Sequence, residues 1–120
     1  MNEKQDWPSE ERYLRALQEI ASKGKIWLAR SKGHWFTTSV GNICVLPVWP
    51  AREHVEEFAA RKSITLASCP VEIEKFLDKW CQMIINASEF KVEVFPTDGQ
   101  AGLQVTLGQL RTDFHPHLAA

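Results

Sequence analysis

VLPVWPAREHVEEFA, residues 45–59, is where a strand pattern hands over to a helix pattern. Up to Val48 the run is apolar and rich in β-branched residues. From Arg52 onward Val55, Phe58 and Ala59 recur at helical spacing, leaving Arg52, Glu53, Glu56 and Glu57 for the wet side. The prolines mark the boundary. Pro47 has no N–H to give to a ladder, which puts that end of the strand at an edge or a bulge. Pro50 disfavours helical dihedrals for Trp49. Pro50 itself suits the first position of a helix, where a missing N–H loses no partner. Strand, corner and helix is the expected order, with Trp49 pinned at the corner.

The same boundary leaves the helix without a cap. Trp49 would occupy the capping position and has no side-chain acceptor, so the amides of Ala51, Arg52 and Glu53 lack an internal partner. Free amides at a helix amino terminus attract anions. Arg52 and His54 could add charge, and Trp49 an apolar wall. Trp49, Arg52 and His54 are therefore the expected binding residues, for a carboxylate or phosphate of a protein partner or of a small anion. The plainer alternative is that water serves the amides and Trp49 packs on the core.

Upstream, Ser9 after Pro8 is placed to cap a helix. Tyr13, Leu14, Leu17, Ile20 and Ala21 fall on one face, and Gly24 can close the helix in a left-handed conformation. "KIWLA", "HWFTT" and "ICVLPVW", separated by Lys32-Gly33 and by "SVGN", read as three strands of an antiparallel meander. Downstream, "SITLA" (63–67) reads as a short strand. Pro70 signals a helix to about Ile85, burying Ile73, Phe76, Leu77, Trp80 and Ile84. "FKVEVF" alternates as a strand with one wet face, and "LQVTL" follows it. Thr106 with Gln109 matches a capping box for a last helix through Phe114, and "HPHLAA" reads as a frayed tail.

The chain has 120 residues, a formal charge of −1 and five tryptophans. That length suits one domain, with an ordered core expected over about residues 9–114. The fold class expected is α+β, a mostly antiparallel sheet with helices mainly on one face, in the order α-β-β-β-α-β-α-β-β-α. The balanced charge speaks against a strongly nucleic-acid-binding protein. No apolar run nears the ~20 residues that span a bilayer, and the polar start "MNEKQDWPSEER" has no apolar signal core. A cytoplasmic setting without membrane contact is the expectation. Cys44, Cys69 and Cys81 show no paired spacing, so reduced thiols are expected.

Taken together, Trp27-Leu28, Gly33-His34-Trp35, "VLPVWP", "ITL" with the "EKFLDKW" helix, and "VEVFPT" resemble an uncharacterised bacterial family, domain of unknown function 2750. "VTLGQLRTDF" extends the match, so it covers the chain from about Arg12. "LPVWP" before a helix also resembles, more distantly, the amino-terminal domain of the enhanced serine sensitivity B family. Neither resemblance supplies a reaction. Both imply the same element order, and a bacterial cytoplasmic setting.

Other candidate chemistry is sparse. Cys69, beside a helix beginning at Pro70, is the reactive-thiol candidate, because a helix dipole lowers a thiol's pKa; an inert buried thiol is the competing reading. His115 and His117 bracket Pro116, but structural zinc usually takes four ligands, so neither metal nor cofactor is expected. Lys23, Lys25, Arg30 and Lys32 around Trp27 and Trp35 could line a strand of nucleic acid. They equally suit solvated turns, and nucleic acid is not expected as a partner. Phosphate-loop, nucleophile-elbow and HExxH patterns are missing, and no catalytic residue is assigned. The expected function is a non-catalytic protein-binding or regulatory module with an exposed apolar patch at Trp49. The alternative is an enzyme or small-anion binder with a site near the Trp49-Pro50 helix start or Cys69.

Overall fold

The computed structural model describes residues 8–80, 90–97 and 100–118. Helix α1 (Ser9–Lys23) leads into strands β1 (Lys25–Ser31), β2 (His34–Trp35), β3 (Thr38–Val40) and β4 (Ile43–Val48). Helix α2 (Arg52–Arg61) and strand β5 (Ala67–Glu72) follow, then α3 (Ile73–Lys75), which runs into a π-helical turn (Phe76–Trp80). Strands β6 (Phe90–Val94) and β7 (Leu103–Val105) and helix α4 (Leu107–Leu118) complete the order. The class is α+β, and the elements come in the expected sequence. No helix among the described residues is long and apolar enough to cross a membrane.

The strands form two sheets, β2-β1-β5 and β3-β4-β6-β7. Every pairing is antiparallel except β4 with β6. The sheets meet at one backbone pair, where Trp27 and Trp49 exchange N–H···O bonds of 2.9 Å in both directions. The "HWFTT" run explains the division. Its His34–Trp35 end pairs with β1, the chain leaves strand geometry at Phe36 and Thr37, and Thr38–Val40 pairs with β4. A chain that changes sheets this way makes a corner, as in other two-sheet packings.

Pro70 corrects the reading of the next segment. The strand spans Ala67–Glu72 rather than Ser63–Ala67, and helical geometry begins at Ile73 rather than Pro70. The cause lies in β1, which pairs along this whole segment from Lys25↔Glu72 to Arg30↔Ala67. Trp27, opposite Pro70, gives both its N–H and its C=O to Trp49. Trp27 and Pro70 are therefore a non-hydrogen-bonded pair. The donor that proline lacks falls on the outer side of β5, where no strand among the described residues pairs. A strand is thus compatible with Pro70, and the ladder to β1 prevails over the helix-start preference.

The helices fit the pattern with local corrections. Gly24 closes α1 at φ 78°, its amide donating to Ile20 O at 2.7 Å. Ser9 is the first helical residue, not the cap, and Leu14 faces solvent; the buried stripe is Arg12, Tyr13, Ala16, Leu17 and Ile20. α2 starts at Arg52 with Ala51 in the capping position, and buries His54 as well as Val55, Phe58 and Ala59. Ile73, Phe76 and Leu77 are buried as expected; the Trp80 side chain and Ile84 lie outside the described residues. Thr106 Oγ1 accepts the Gln109 amide at 3.1 Å, half of the capping box, while the Gln109 side chain turns to Asp113. α4 then runs through Pro116 to Leu118, because Leu118 packs against the core and holds a last turn that read as a frayed tail.

Candidate functional site

Trp49 has no exposed surface. Its indole N–H donates to Pro96 O at 2.9 Å, and its ring lies 5.2 Å from that of Phe58. His54 is buried too, its ring 4.6 Å from Phe95. Arg52 alone faces solvent, beside Glu56 at 3.5 Å. The anion cradle expected of Trp49, Arg52 and His54 is not assembled, and there is no apolar patch at Trp49. An indole whose N–H finds a buried acceptor gains its full apolar area inside. Nor does the helix begin at Pro50: its start has no side-chain cap, and the His54 amide donates to Ala51 O at 3.2 Å.

Cys69 sits within β5 opposite Leu28, away from any helix amino terminus, so the dipole argument for a reactive thiol falls with the helix at Pro70. Cys44 and Cys69 are free thiols; Cys81 lies outside the described residues. His115 and His117 lie on α4, and among the described residues no group of three or more His, Cys, Asp or Glu could hold a metal ion. Arg30 is engaged inside its own hairpin, stacked 4.8 Å from the Trp35 ring and donating to Gly33 O at 2.7 Å.

The feature that sequence reasoning missed is the loop after β6. Arg12, in α1, has no exposed surface. Its guanidinium donates to Phe95 O at 3.2 Å, to the Gln100 side-chain oxygen, and to Ala101 O at 2.6 Å. Trp49 takes the carbonyl between, on Pro96. Trp49 and Arg12 are the two largest fully buried side chains among the described residues, and both hold this loop. Thr97 N donates to Gln100 O at 2.9 Å, and Gly102 N to a Glu93 carboxylate oxygen at 2.8 Å. Gly102 has no alternative: a Cβ there would stand 2.3 Å from Val94 O. Phe95 holds φ 60°, a left-handed conformation uncommon for a bulky residue.

This loop walls a cleft of about 290 Å³, with Thr38 of β3, Phe58 and Lys62 at the end of α2, and Glu93, Thr97 and Gln100 opposite. Burial raises the Glu93 pKa above the ordinary 4.5, opposed by the Gly102 amide and then by Lys62 and Arg12. Burial likewise lowers the Arg12 pKa, with Glu93 opposing. Tyr13 is raised by burial and by its 2.5 Å hydrogen bond to Asp113. For Glu93 the sign is that of a group favouring its proton-bound form. The stability it contributes is complete below its unfolded pKa and is lost as pH rises through the folded value. Glu93→Gln keeps an acceptor for Gly102 and removes the charge. Its stability relative to the wild type is expected to rise as pH increases from about 4 to about 8, read from melting temperatures. A difference that stays flat over that range contradicts the assignment.

A second, apolar groove of about 510 Å³ is lined by Ser31, Lys32, Phe36, Ile64, Thr65 and Leu66. Its origin is topological. β1 and β5 are paired as far as Arg30↔Ala67, and beyond that β1 turns back into β2 while Ile64–Leu66 takes another course. The two chains splay and leave a gap. Ser63 at φ 56° and the Ile64 amide on Ala59 O at 3.0 Å fix the turn leaving α2. Ile64 is 39% exposed, and Phe36 meets Phe58 edge-on at 6.3 Å. Trp49, Phe58 and Phe36 thus form an aromatic row from the core to the groove. The "SITLA" alternation was the one sequence signal for it; the run carries apolar residues but finds no ladder before Ala67.

Neither the curated proteins nor the solved structures contain a match to the chain, and no match shows the more distant likeness to the enhanced serine sensitivity B family. Residues 13–114 match the family model described as "Protein of unknown function (DUF2750)". The match takes in every residue lining the groove and the cleft, together with the "VLPVWP" and "VEVFPT" blocks that Trp49 and Pro96 tie together, and the chain belongs to the DUF2750 family.

Proposed function

We propose that the chain is a non-catalytic protein-binding or regulatory module whose docking surface is the groove at Phe36, Ile64 and Leu66. The observation that carries this reading is an apolar, water-facing groove built on a rigid aromatic row. Its volume of about 510 Å³ lies within the ~300–1,000 Å³ usual for binding pockets. Rigid aromatic support lowers the ordering cost of association, and interface anchors are characteristically apolar side chains seated in preformed pockets. The free thiols of Cys44 and Cys69 suit a reducing compartment, and the bacterial cytoplasm is the setting proposed with this role.

A photo-crosslinking amino acid at Thr65, on the groove, tests the reading against the same group at Arg52, away from it. Adducts with another polypeptide are expected in the native cytoplasm from position 65 only. Ile64→Asp is expected to remove them with little effect on folding, since exposed substitutions usually shift stability by no more than about 0.5 kcal/mol. Equal adducts from both positions, or adducts that survive Ile64→Asp, would sink the assignment.

A further inference from the structure

We draw no further inference here: the strongest candidate, the apolar groove at Phe36, Ile64 and Leu66 between the diverging ends of β1 and β5, belongs to the docking surface already proposed, and nothing in the structure shows what covers it.

Discussion

Replacing Arg12 by methionine is expected to lower the unfolding free energy by about 3–5 kcal/mol, the usual result of breaking a buried charged network by deleting one partner. Methionine nearly matches the length of the stem but offers no donor, so Phe95 O and Ala101 O lose the bonds they accept inside the protein. Each orphaned group adds roughly 1–3 kcal/mol of desolvation cost. Arg12→Lys should restore less than half of the loss. An ammonium is a point charge and cannot reproduce the planar fork that meets three acceptors at once. Urea denaturation at neutral pH measures both variants, and a loss under about 1 kcal/mol would show that the fork does not hold the loop.

Trp49→Ala should be of similar size, about 3–5 kcal/mol for a large aromatic removed from a packed core. Trp49→Phe separates the two parts of that number. It keeps most of the ring contact with Phe58 and leaves Pro96 O without its donor, for an expected loss of about 1–3 kcal/mol. Residues 12 and 49 lie on different elements but grip the same loop. Hydrogen exchange at the Thr97 and Gly102 amides should therefore quicken in both Arg12→Met and Trp49→Phe, and stay unchanged in Ile64→Asp. Loop amides that keep wild-type protection in Trp49→Phe would place the indole in the core without a role in the loop. Truncating Trp49 is consequently a poor way to look for a partner, because it perturbs the fold before any surface.

What the sequence reveals here is mostly local. Gly24 after Lys23, the Val55–Phe58–Ala59 stripe and the alternation of Phe90, Val92 and Val94 each report a periodicity or a dihedral requirement, and each element formed. What stayed hidden depends on partners far along the chain. Arg12 reads as a wet residue because its charge is visible and its acceptors are more than 80 positions away. Pro70 reads as a helix start because only the register with β1 reveals that its missing donor faces outward. Trp49 was recognisable as a fixed corner, since two prolines limit its backbone. The direction of its indole was not, because that is set by a carbonyl 47 residues later. The groove followed the same rule. Ile64 and Leu66 announced a strand, and the divergence of β1 left Ile64 facing water and Leu66 half-buried against the core.

Pro70 has one more consequence. The outer margin of β5 lies in the same sheet as the strands that splay to form the groove, a combination that invites chains to zip together edge to edge. A strand arriving there would meet a gap at the centre of its ladder, with too few consecutive bonds on either side to nucleate an addition. The ring that looked like a helix signal thus interrupts that margin and works against edge-to-edge addition of another strand.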